Sequence, residues 1–182
     1  MATPRKDSLR TRKSIVAAAE KLLVKDGRTN FTEIAVKAGV SPATIYRYFS
    51  DRSQLLTSIM ENQLSLLESA VDSWTLDAHS FERLLRLMAK EQAKYQGVIA
   101  EVRRGEVDPA EIASLTFRTY ELFRGPLEIA QQAGEIRGDL DASSVINLLG
   151  MVDGAIGGQR TRAARERAGS EAVDILLDGI RG

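Results

Sequence analysis

The chain has 182 residues, 43% apolar and 27% charged, with 25 basic and 25 acidic side chains, no cysteine and one histidine, His79. That composition suits a globular protein with a sizeable core; it excludes a disulfide scaffold or cysteine zinc site, and a single histidine cannot build a multi-histidine metal centre. The balanced charge conceals a split: the first 60 residues hold 11 basic and five acidic side chains, the rest 14 basic and 20 acidic. Such asymmetry points to a polyanion bound at one end, or to chance clustering of surface charge. No apolar run approaches the ~18 residues of a membrane span. The polar start, MATPRKDSLRTRK, lacks the apolar stretch of a secretory signal. A cytoplasmic protein with no membrane partner, cofactor or metal is expected.

In chain order, the signals are helical. The basic residues Arg5, Lys6, Arg10, Arg12 and Lys13 read as an N-terminal arm, either touching a nucleic-acid backbone or simply solvated. Ile15, Ala18, Ala19, Leu22 and Leu23 make one apolar stripe, and Gly27 is placed to end that helix in the left-handed conformation. Asn30 with Glu33 three residues on is a capping box that opens a short helix, which Gly39 closes. Ser41-Pro42 opens the next, with Ser as cap and Pro at the first helical position. Asp51 with Gln54 resembles another capping box. A long helix follows through Leu55, Leu56, Ile59, Leu66, Leu67 and Val71 to about Trp74.

Ser80 is the expected cap of a helix to about Arg103. Asp108-Pro109 starts another, past Phe117, Tyr120 and Phe123, and Gly125-Pro126 is expected to break or kink it. Gly134 and Gly138 mark a loop. Asp141 caps a segment through Val145, Leu148, Leu149, Val152 and Ile156, and Ser170 is read as the cap of a last helix. The fold class is therefore all-α with about nine helices. An N-terminal domain over 1–52 and a second over 53–182 are expected, meeting within the long helix.

Residues 31–49, FTEIAVKAGVSPATIYRYF, carry the chemistry. Two short capped helices joined by Gly39-Val40-Ser41 have the layout of a helix-turn-helix; the alternative is an ordinary αα-hairpin. Ala35 is small where the helices cross, Gly39 supplies a positive φ, and Val40 and Ile45 lock the second helix over Ile34 and Ala38. With Ile45 and Phe49 facing inward, Thr44, Tyr46, Arg47 and Tyr48 are left outside, a poor surface for water and a good one for double-stranded DNA. Arg47 can read guanine with two hydrogen bonds. Tyr48 either reads bases or packs on the first helix. Tyr46 and Arg52 are assigned to positioning, a job distinct from reading. The expected DNA-contacting set is Thr32, Ser41, Pro42, Ala43, Thr44, Tyr46, Arg47, Tyr48 and Arg52.

The stretch from Ser14 to Leu56 resembles the N-terminal domain of TetR-type transcriptional regulators. Ala17-Ala18, Leu22-Leu23, Gly27, Ile34-Ala35, Ala38-Gly39-Val40-Ser41, Thr44 to Phe49 and Leu55-Leu56 carry the resemblance. The family usually has Lys where Arg52 stands and often Gly where Ala43 stands. The resemblance implies DNA contacts from Thr44 and Tyr46, a phosphate contact from Arg52, a repressor that works as a homodimer on a pseudo-palindromic operator, and a small-molecule effector bound by the second domain.

For that effector pocket, Trp74, Met88, Tyr95, Phe117, Tyr120 and Phe123 are the candidates, each equally readable as core. Arg118 and Arg124 are candidates to orient an anion. For the dimer interface, Gly150, Gly154 and Gly158 recur at every fourth position and form a smooth helical ridge, or else a frayed helix end. Val173, Leu176, Leu177 and Ile180 form a stripe on the last helix that needs a covering surface. His79 reads as a solvated or capping residue. No nucleophile, base and stabiliser can be assembled, so an enzyme is not expected.

Overall fold

A computed structural model of the chain describes residues 4–26, 29–105 and 107–182. Among them are eight helices: α1 (Pro4–Asp26), α2 (Phe31–Ala38), α3 (Pro42–Tyr48), α4 (Arg52–Asp72), α5 (Ser80–Arg103), α6 (Pro109–Gln132), α7 (Ala142–Gly157) and α8 (Arg162–Ile180). No strand occurs among the described residues; a single antiparallel bridge joins Ile136 and Arg181. No described helix is long and apolar enough to cross a membrane. Gly27, and the side chains of Arg5 and Lys6, lie outside the described residues.

The chain forms two compact units, Met1–Gln63 with Gly97–Glu111, and Leu64–Gln96 with Ile112–Gly182. Both α4 and α5 therefore contribute residues to each unit. The core of the first unit draws on Ile15, Ala18, Ala19 and Leu23 of α1, Ile34 and Ala35 of α2, Ile45 and Phe49 around α3, and Leu55, Leu56 and Ile59 of α4, all at most 4% exposed. The predicted stripe on α1 is the buried one, with Leu22 half-buried at its edge.

In the second unit the core cluster combines Phe81, Leu84 and Leu85 of α5, Phe123 and Leu127 of α6, Val145, Leu149, Val152 and Ile156 of α7, and Val173 and Leu177 of α8. Gly169 lets α8 approach closely: a Cβ built there would lie 3.1 Å from Ile156 Cδ1 and 3.6 Å from the Ala89 carbonyl oxygen. The chain end is tied back by Arg137 N–H donating to the Ile180 carbonyl at 3.0 Å.

Several helix limits differ from the sequence reading. Arg10, Arg12 and Lys13 belong to α1 rather than to an arm, because that helix begins at Pro4. Ser170 lies inside α8; the cap is Thr161, whose side chain accepts from the Ala164 N–H. At α5 the anchor is Asp77, which accepts from the His79 N–H and the Ser80 hydroxyl, while Ser80 is the first helical residue. Pro126 does not break α6, which runs on to Gln132. Its ring is buried beside Phe123, Leu127 and Ala130, so packing recovers part of the cost of the backbone bond that proline cannot make. One continuous α6 is consistent with eight helices where about nine were expected.

Candidate nucleic-acid interface

The α2–α3 pair is built by local signals. Asn30 accepts from the Glu33 N–H at 2.9 Å while Glu33 Oε2 accepts from the Asn30 N–H at 3.2 Å. Gly39 ends α2 at φ 69°, ψ 34°, and the Val40 N–H closes the turn on the Ala35 carbonyl at 3.0 Å. Ser41 Oγ accepts from the Thr44 N–H at 3.2 Å and lies 2.8 Å from the Thr44 hydroxyl. Asp51 Oδ1 accepts from the Gln54 N–H at 2.9 Å, but Gln54 reaches back to the Ser50 N–H rather than to that of Asp51.

With Ile45 and Phe49 buried, α3 exposes Pro42, Ala43, Tyr46 and Arg47, leaves Thr44 and Tyr48 half-buried, and has Thr32 exposed on α2. The Tyr46 ring rests on Phe31 with centroids 5.1 Å apart. That contact holds a tyrosine that is still 61% exposed. The Arg47 guanidinium stacks 5.2 Å above the Tyr48 ring. Both residues join Asp7, Ser8 and Thr11 of α1 around a shallow hollow of ≈ 590 Å³. Hydrogen bonding with Ser8 holds the Tyr48 phenol below its ordinary pKa, and the Arg47 guanidinium and Thr11 act in the same direction. Tyr48 is thus turned toward α1, the packing alternative, and Arg47 is the cation presented beside it.

Arg52 departs from expectation. Its Nε and Nη2 donate to Glu101 Oε2 at 3.0 and 2.8 Å, and its Nη1 donates to the Thr29 carbonyl at 2.6 Å. The side chain is 26% exposed and that of Glu101 only 6%. A guanidinium held this way is not poised for a phosphate. Glu101 stands 49 residues away on α5, and nothing local in the sequence announces it. Arg12, expected in the arm, donates to Ser58 Oγ at 2.6 Å and lies over the Phe49 ring. Sequence reasoning also missed Val36 on α2, 80% exposed and apolar beside exposed Lys37.

In the second unit the six pocket candidates have different surroundings. Phe123 is fully buried, edge-on to Phe81 at 5.7 Å, so it is core. Phe117 is 64% exposed. Trp74 and Met88 pack on the rim of the core, Trp74 beneath the Arg83 guanidinium; Tyr95 is buried and Tyr120 half-buried. Arg118 is bound to Glu68 and Ser65 of α4, and Arg124 to Glu121. Neither is an unengaged anion clamp. The dimer stripe is also corrected: Val173, Leu177 and Ile180 are buried in their own chain, with Leu176 partly so, because α8 lies against α7. The glycine ridge is different. Gly150, Gly154 and Gly158 are exposed, and a Cβ at any of them would meet nothing within 4 Å. Met151 and Ile175, 59% and 73% exposed, lie on the same two helices. Among the described residues no group of acidic or histidine side chains is arranged to hold a metal.

Residues 15–59 match the profile of bacterial regulatory proteins of the tetR family, and residues 78–182, more than half of the chain, match that of the SbtR-like transcriptional regulator C-terminal domain. The chain belongs to the TetR family. Among curated relatives, the HTH-type transcriptional repressor BepR of Brucella suis biovar 1 (strain 1330) is 24% identical over 201 residues, covering 96% of this chain and 89% of BepR. Among solved structures, a TetR transcription regulatory protein from Mycobacterium vanbaalenii superposes with a TM-score of 0.66 at 22% identity, over 99% of this chain and 100% of that one. RolR in complex with resorcinol gives 0.69 at 19% identity, over 97% and 90%. These structures share the fold. As a TetR-family transcriptional regulator, the chain is of a class whose N-terminal unit binds DNA, and the exposed face of α3 stands at the matching place in its sequence.

Proposed function

We propose that this TetR-family regulator is a repressor that works as a homodimer in the cytoplasm, without catalytic activity, and that a small-molecule effector releases it from a pseudo-palindromic operator. One observation carries the reading: a capped α3 buries Ile45 and Phe49 and offers Tyr46 and Arg47 to the outside, in the cationic third of the chain. Such a helix fits a major groove. Arg47 reads a base edge, worth about 1–3 kcal/mol of discrimination. Ser41, Pro42, Ala43, Thr44, Tyr46 and Thr32 approach phosphates and sugars, and Tyr48 orients Arg47 from its seat on α1. The first compact unit serves DNA and the second serves effector and partner. The glycine ridge of α7 with Met151, and Ile175 of α8, forms the subunit contact.

RolR is described with resorcinol bound, and the effector here is likewise a small molecule, held by the second unit. It acts only through its different affinity for two conformers. The test is duplex binding over a salt series. Log K is expected to fall linearly and steeply with log salt, by about 0.9 per phosphate neutralised, and Arg47→Ala to flatten the preference among duplexes. Binding indifferent to salt would remove the proposal.

A further inference from the structure

The positive charge at position 52 invites a phosphate, yet the structure gives that guanidinium three hydrogen bonds to two other partners, Glu101 and Thr29. Glu101 receives two of its donors on Oε2 and a second cation, Arg104, on Oε1 at 2.7 Å. The carboxylate is buried, 4% exposed as a residue, where an ion without partners would be strongly disfavoured. Arg52 also donates to the Thr29 carbonyl in the connection between α1 and α2. One residue downstream, the Ser53 hydroxyl accepts from the Asp108 N–H at 3.2 Å, a second tie between the start of α4 and the segment 97–111. All of these groups belong to the first compact unit. A planar fork suits this task, because it delivers two donors to one carboxylate oxygen and a third to a carbonyl; an ammonium cannot hold that geometry.

We propose that Glu101 is a positioning residue for DNA binding: it clamps Arg52, and through Arg52 the Thr29 carbonyl, so that α2 and α3 are presented in a fixed pose, and Arg52 serves the duplex by placement rather than by touching a phosphate. The inference rests on the DNA-binding reading above. It makes α5 the strut of the reading unit.

The experiment uses the full chain and a random-sequence duplex of about 30 base pairs, with fluorescence anisotropy between about 50 and 200 mM salt. Wild type is compared with Arg52→Met, Arg52→Lys, Glu101→Gln and the Met/Gln double variant. The clamp predicts that Arg52→Met and Arg52→Lys each weaken binding roughly tenfold, the loss of one charge-assisted hydrogen bond. It predicts that the double variant is no weaker than the worse single variant, and that the salt slope of Arg52→Met equals the wild-type slope. A direct phosphate contact predicts otherwise: Arg52→Lys binds like wild type, Arg52→Met loses about 0.9 of slope, and Glu101→Gln leaves affinity unchanged. Any of those three results overturns the clamp. Thermal unfolding of the same four variants is recorded in parallel; additive losses for Arg52→Met and Glu101→Gln likewise overturn it, even where one variant is too unstable for binding. A wild-type chain that binds no duplex would sink the functional reading instead, while the unfolding cycle would still report on the clamp.

Discussion

Gly39 offers a perturbation whose cost can be worked from the structure alone. Its φ of 69° and ψ of 34° lie in the left-handed region, and a Cβ added there would touch nothing within 4 Å. Gly39→Ala therefore meets no tertiary clash, and its cost is that of its own backbone, about 1–2 kcal/mol for an L-residue. Alanine also restricts the unfolded chain, which returns about 0.4–1 kcal/mol. The net loss is about 1 kcal/mol, a fall in Tm of roughly 2–4 °C if the chain unfolds as one unit. Gly39→Asn is expected to lose less, since asparagine tolerates the left-handed region better. Gly134→Ala is the control: φ is 74°, the site is equally open, and the residue lies in the second unit. Both alanine variants should melt alike by differential scanning calorimetry, and only Gly39→Ala should weaken duplex binding. A Gly39→Ala chain that melts with wild type, or an asparagine variant that melts below it, would refute the reasoning.

Three further outcomes are expected. Pro126→Ala should stabilise the protein: restoring an interior helical bond is worth about 3 kcal/mol on the propensity scale, against about 1.6 kcal/mol for two buried ring carbons lost, and a lower Tm would show that the ring's packing outweighs the missing bond. Gly154→Glu should leave the single chain folded, since its Cβ meets nothing within 4 Å, but sedimentation equilibrium should give a mass near 20.0 kDa instead of twice that; an unchanged dimer would move the subunit contact off the α7 ridge. Asp141 caps α7, and hydrogen bonds from the Ser144 N–H and from Ser143 and Ser144 hold its carboxyl at about 2. Because the folded value is depressed below the ordinary 3.8, its contribution is present above that ordinary value and is lost as pH falls toward 2. Urea midpoints measured between those limits should therefore fall less steeply with acid for Asp141→Asn, which caps but does not titrate; identical slopes would contradict the assignment.

What was legible in the sequence was local. Asn30 with Glu33, Ser41-Pro42, Gly39 and Asp141 act on residues within four positions, so pattern and chemistry coincide, and the α2–turn–α3 element emerges with its expected ends. What was not legible depended on distant partners. The stripe of Val173, Leu177 and Ile180 is equally apolar whether α7 of the same chain or a second copy covers it, and α7 covers it. Pro126 signals a helix end by its backbone, but burial beside Phe123 and Leu127 overrules it. Position 52 looks like a phosphate ligand when its neighbours are read, and becomes a clamp only when the fold brings up Glu101. Size marks a large residue as a pocket candidate, but size does not separate Phe123 in the core from Phe117 at the surface.

The central claim is that two copies of α3 read duplex DNA through Arg47 and its neighbours. Selection of bound duplexes from a random pool tests it most directly. The account predicts enrichment of an inverted repeat whose half-site centres lie about one helical turn, or a multiple, apart, with one base position losing its preference when the selection is repeated with Arg47→Ala. A pool that emerges unenriched, or a repeat whose every position survives the loss of Arg47, would contradict it.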